Sequence, residues 1–254
     1  MKRRMVKKYK DSYDKYITNV IDNAHNLSNL ENEYNKSFML WKTYLYPLIG
    51  DFNRSSKIVD IGCGLGHTLY FFNKLGYKNT SGIEISQENI NLLRKKGFNV
   101  KKEDAFDFLR KNQNSFDIIT LFDLIEHFSK DEGILILDLA RKSLKKNGIV
   151  IVETFNASHP FSAKFYFDDI THETGFTPSS IKTLFNLSDF KKNKIFTINS
   201  FYIWHPNPLI HLFRKSILVS IAKIVEIFYK MLAASQGVIL KECKPIIIGI
   251  GYKN

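Results

Sequence analysis

At 254 residues, with 44% hydrophobic, 24% charged and 14% aromatic side chains, the chain has the size and apolar content of one well-filled globular domain or a domain with a cap. That excludes a disordered or fibrous protein. Its 37 Lys and Arg against 25 Asp and Glu give a net charge of +12, an excess that invites a nucleic-acid or membrane-surface partner.

The position of the charge alters its meaning. Residues 1–16 carry seven basic and two acidic side chains, residues 191–254 carry ten and two, and the stretch between is nearly neutral. The basic residues are 30 Lys and only 7 Arg, whereas specific nucleic-acid readers lean on the bidentate Arg fork. No nucleic-acid partner is expected. Cys63 and Cys243 are too few for a disulfide framework and lack metal-ligand spacing, so no metal is expected and a reducing, cytoplasmic location is the default. The basic N-terminus runs into Asp11 and Asp14 without an apolar core, unlike a secretory signal.

Residues 8–27 and 31–48 read as two helices, a preface or lid over residues 1–50. From Lys57 onward, short apolar runs (KIVDIG, SGIEI, NVKKED, FDIITLF, IVIVETF) alternate with amphipathic stretches, as in a parallel α/β sheet. Residues 51–254 form the second unit. Ser129 and Glu132 make a capping box, and Thr177 before Pro178 marks another helix start. Over 209–234, Ile210, Phe213, Ile217, Ile221, Ile224, Phe228 and Met231 recur at steps of three and four. The leading expectation for this stripe is packing on the sheet or against a second copy, with a membrane surface as the rival. Residues 245–253 form a last apolar strand.

Between the first strand and its helix lies Asp60-Ile61-Gly62-Cys63-Gly64-Leu65-Gly66-His67. Glycines there let backbone bend sharply and approach a nucleotide-type ligand. The spacing is G-x-G-x-G, and His67 stands where a dinucleotide fingerprint needs a small residue. Asp60 beside a pyrophosphate would be repulsive but suits a cationic ligand group. Glu84 ends the second strand, placed for both ribose hydroxyls. Asp104 ends the third, placed for an exocyclic amine, and Ala105 leaves room for a ring.

This order of motifs resembles the class I S-adenosylmethionine-dependent methyltransferases, over roughly residues 45–190. It is similar to quinone-biosynthesis enzymes and to methyltransferases of bacterial surface polysaccharides. The resemblance implies a Rossmann-like, seven-stranded, mostly parallel sheet with an antiparallel last strand. It assigns Gly62, Gly64 and Gly66 to the methionine moiety, Glu84 with Ile85 to the ribose, Asp104 with Ala105 to the adenine, and Asp123 to the methionine end, against a solvated-loop role for Asp123. The segment with Asp123, Glu126 and His127 is typical of the group, as are the regions around Gly148 and 172–185.

Methyl transfer from a sulfonium needs alignment and exclusion of water, and a hydroxyl acceptor gains from a base. His127 is the first candidate, against a structural role; His172 is the second, with an ordinary loop role favoured. Glu126 orients a neighbour or caps a helix, and His67 packs or bonds locally. Tyr166, Asp168 and Asp169 line the acceptor site or merely the surface. Aromatics in 157–170 and in 200–235 act as cap elements suited to a small polar acceptor with an apolar frame: a sugar, a sugar nucleotide or a capsule substituent, phosphoramidate included. The rivals are a quinone-type O- or C-methyltransferase, an RNA methyltransferase, a non-catalytic cofactor-binding module and, outermost, an NAD-dependent dehydrogenase.

Overall fold

A computed structural model describes residues 29–199, 208–240 and 243–253. The helix expected over 8–27 lies outside these residues, as do positions 200–207 of the C-terminal cap.

Seven strands form one sheet: β1 Lys57–Ile61, β2 Asn79–Glu84, β3 Val100–Lys102, β4 Phe116–Phe122, β5 Leu144–Phe155, β6 Lys192–Ile198 and β7 Ile246–Tyr252. Their order is β3-β2-β1-β4-β5-β7-β6. The first five run parallel, and β7 lies antiparallel between β5 and β6. The strand order reverses between β1 and β4, which opens a crevice at their C-terminal ends, where open α/β sheets bind ligands. In β1 four of the five residues are buried, the continuous pattern of a strand covered on both faces.

The helix expected over 31–48 is two elements instead of one. Helix α1 spans Leu30–Tyr44 and a single turn, α2, spans Tyr46–Ile49. Pro47 explains the division, because it has no N–H for the preceding turn. Leu30, Tyr34, Phe38 and Trp41 bury one face of α1, which packs on α3 (His67–Lys74) through Phe71.

Helices α4 (Gln87–Lys95), α5 (Ala105–Lys111) and α6 (Lys130–Ser143) cover the rest of the parallel part. The capping box of α6 is formed, Ser129 N–H donating to Glu132 at 3.0 Å. After β5 come the short α7 (Ser162–Phe167) and α8 (Pro178–Leu187), the latter capped by Thr177 as expected.

Helix α9 spans Pro208–Ser235, and here the expectation of packing on the sheet fails. Its apolar stripe does not pack on the sheet: Phe213, Ile217, Ile221, Ile224, Phe228 and Met231 are all exposed. Periodicity marks an apolar side but not what it meets. Among the described residues no helix is long and apolar enough to cross a membrane.

Candidate active site

The glycine loop leaves β1 with Gly62, Gly64 and Gly66 all at positive φ. A side chain at Gly62 would strike Leu124 at 2.8 Å, and one at Gly66 would strike Leu93 at 2.5 Å, whereas a Cβ on Gly64 meets nothing within 4 Å. The outer glycines thus serve packing and Gly64 faces open space. Helix α1 braces this loop: Tyr34 Oη donates to the Leu65 carbonyl, and Ser37 Oγ lies 3.1 Å from His67 Nδ1. Burial lowers the His67 pKa to about 4, so its neutral ring packs locally, as the sequence suggested.

Glu84 stands at the end of β2, buried, and ties the loop together. One oxygen accepts from Gly64 N–H at 2.8 Å; the other accepts from Ile85 and Ser86 N–H at 2.7 and 2.8 Å. Burial raises its pKa, against these three amides. Asp104 caps α5 by accepting from the Phe106 and Asp107 amides through a single oxygen, a role the sequence reading did not give it. Its exposed carboxylate lies beside Ala105, the half-buried first residue of α5.

Four more acids crowd the crevice. Asp60 accepts from Thr120 Oγ1 at 2.6 Å. Its burial lifts the pKa to about 7, Thr120 and Thr68 opposing. Asp123 has φ of 47° and is exposed. Desolvation by the surrounding crevice raises its pKa, against the pull of His172. Glu126 is buried, and neither of its carboxylate oxygens has a hydrogen-bond partner among the described residues. Burial, then the neighbouring Asp123, raises its pKa to about 8. Glu153 accepts from Trp41 Nε1 at 2.8 Å and is pushed up by burial. Among the described residues none of these acids, nor Glu84, is salt-bridged to Lys or Arg. A basic protein therefore holds an acidic crevice, which suits a cationic ligand.

The two histidines meet at its edge, with ring centroids 4.6 Å apart. Thr171 Oγ1 lies 2.7 Å from His127 Nδ1 and 2.7 Å from Asp169 Oδ1. The hydroxyl has one proton and the Asp169 carboxylate brings none. Thr171 therefore donates to Asp169 and accepts from His127 Nδ1–H, which leaves the lone pair on Nε2. Burial would raise the Asp169 pKa, but the Thr171 hydroxyl and amide, with both imidazoles, hold it low. His172 Nδ1 donates to the Tyr166 carbonyl at 2.9 Å. Ligand-capable atoms of His127, Asp169 and His172 lie within 4.8 Å of one another, a grouping the sequence reading, which expected no metal, did not foresee.

Beside them is a cavity of about 310 Å³ with Glu126, Thr154, Phe155, Tyr166 and Phe176 in its wall. Tyr166 thus joins the site and Asp169 orients His127, while Asp168 is on the surface, paired with Lys164 at 2.7 Å. Sequence reasoning missed Thr171, Glu153 and Trp41. A signal existed for Glu153, which lies near the end of β5 as Asp60, Glu84 and Asp104 lie at or near the ends of their strands.

The fold and crevice define a Rossmann-like domain built to hold a nucleoside cofactor carrying positive charge. A family model described as a methyltransferase domain matches residues 33–195, and the chain belongs to that family. Two curated relatives match in part: a phosphoethanolamine N-methyltransferase of Plasmodium falciparum, 30% identical over 42% of each chain, and a ubiquinone biosynthesis O-methyltransferase of Colwellia psychrerythraea, 26% identical over 40% of this chain and 43% of that one. The matches thus span less than half the length of those relatives. A crystal structure of a SAM-dependent methyltransferase from Archaeoglobus fulgidus superposes with a TM-score of 0.63 at 20% identity, covering 91% of this chain and all of that one. The open cradle at Gly64, the Glu84 carboxylate and the unneutralised acids fit S-adenosylmethionine, the cofactor of this domain family.

Proposed function

We propose that the protein uses S-adenosylmethionine to O-methylate a small polar acceptor with an apolar frame, such as a sugar, a sugar nucleotide or a surface-polysaccharide substituent, phosphoramidate included. The observation that carries this reading is the His127–Thr171–Asp169 chain beside the Glu126 cavity. When bound, the cofactor supplies a methyl group already activated on a sulfonium. Gly64 would face the methionine moiety, with Gly62 and Gly66 shaping the loop around it; Glu84 with Ile85 would hold the ribose, Asp104 with Ala105 the adenine, and Asp60 and Asp123 would offset the positive charge.

The acceptor's apolar frame lies against Phe155, Tyr166 and Phe176, which also exclude water. His127 Nε2 takes the proton from the acceptor hydroxyl, and the imidazolium is stabilised through Thr171 by Asp169. Such a base contributes about 10²- to 10⁴-fold in rate. His172, anchored to the Tyr166 carbonyl, packs against the rings of His127 and Tyr166.

A second reading has its own support: the uncompensated acids also suit an acceptor amine, the group named in the Plasmodium relative. Methyl transfer measured on sugar nucleotides and capsule precursors, on primary amines and on demethylated quinones decides among these readings. The first predicts turnover with the glycans; turnover with amines or quinones alone overturns it. Removal of divalent cations by chelator is expected to leave turnover intact, since the step uses an imidazole base.

A further inference from the structure

We propose that α9 seats the protein on an anionic lipid surface. Phe213, Ile217, Ile221, Ile224, Phe228 and Met231 form one stripe along the helix, and Phe213, Ile224 and Met231 are 68%, 66% and 68% exposed. On the side away from it Ala222, Tyr229 and Ala233 are partly covered, and Glu226 and Lys230 lie near enough to the buried Cys243 to act on its thiol, so over residues 222–233 the apolar stripe points away from the protein. At 28 residues the helix is about 42 Å long, and a continuous apolar face of that length seldom stays in water.

The charges select the occupant. On a helical projection Lys223 borders the stripe on one edge and Arg214 on the other, and both are exposed. The helix carries four basic residues and one acid, Glu226, which Lys230 already pairs at 2.7 Å. A seam between two copies of a helix is ordinarily bordered by charges of both signs; here a second copy would bring cations against cations. Anionic headgroups meet both basic edges while the stripe enters the acyl boundary, the geometry of an interfacial helix.

The insertion also has a defined origin. β6 ends at Ile198 and β7 begins at Ile246, which pair with each other, and Ile246 pairs with Phe155 of the acceptor cavity. Both roots of the α9 segment therefore lie on the crevice edge of the sheet. The docking is independent of which acceptor the crevice takes.

The test uses the full chain sedimented with vesicles of phosphatidylcholine alone, and of phosphatidylcholine mixed with phosphatidylglycerol. Co-sedimentation with the mixed vesicles is expected, weakening at raised salt and falling at least tenfold in Ile224→Glu and in the double variant Arg214→Glu/Lys223→Glu. Calorimetric binding of S-adenosylmethionine by the variants, unchanged from the parent, shows that they are folded. The proposal is overturned if the parent ignores both vesicles, if folded variants bind vesicles as the parent does, or if sedimentation analysis finds a dimer that Ile224→Glu dissociates without any vesicle binding.

Discussion

Three glycines of one loop carry different burdens, and alanine separates them. At Gly66 the new Cβ meets Leu93 at 2.5 Å as well as a φ of +82°, so Gly66→Ala is expected to destabilise by about 2–4 kcal/mol in a urea melt. At Gly64 the Cβ enters open space, and Gly64→Ala is expected to cost only the left-handed penalty, about 1–2 kcal/mol, while cofactor affinity drops. If Gly64→Ala binds cofactor as the parent does, the loop does not face the ligand. Thr171→Val tests the proton path: kcat should fall about 10-fold or more with KM nearly constant, since a misoriented base is a loss felt in the transition state. Equal turnover would remove Thr171 and Asp169 from the mechanism. The glycines and the acids at the ends of β1 to β3 were legible because loop spacing after a strand is local. The Thr171 bridge was not, since it joins His127 to Asp169 across 42 positions and only the fold brings those groups together.

At the scale of elements, α1 is the piece whose role was least visible. A preface or lid was expected, and the helix in fact braces the glycine loop through Tyr34 and Ser37 and reaches Glu153 through Trp41. Trp41→Phe keeps most of the apolar volume but takes the N–H from a buried carboxylate, which costs about 1–3 kcal/mol. A thermal melt should show the loss, and an unchanged melt would mean that Glu153 finds another donor. Capping signals placed the starts of α6 and α8 because they are written within four residues. The orientation of α9 was not written there, since an amphipathic pattern is the same whether a sheet, a copy or a lipid surface covers it.

For the whole molecule, the charge has separated into two parts: a basic exterior, with α9 among its contributors, and an acidic crevice. Asp60 and Glu126 have pKa values raised to about 7 and about 8, while the unfolded chain ionises such groups near pH 4. The folded, ligand-free protein therefore holds protons that the unfolded chain has released. These groups make stability fall as pH rises from about 5 to about 8. Melting temperature should decline over that window, and S-adenosylmethionine should offset the decline; a rise with pH would show that other groups dominate.

The same acids give the most direct test of the cofactor site. Calorimetry with S-adenosylmethionine and S-adenosylhomocysteine at pH 6 and pH 8 should show both binding one to one. The sulfonium compound should gain affinity with pH and release protons on binding, and the neutral thioether should change less. Failure of either compound to bind at both pH values would contradict the account at its centre.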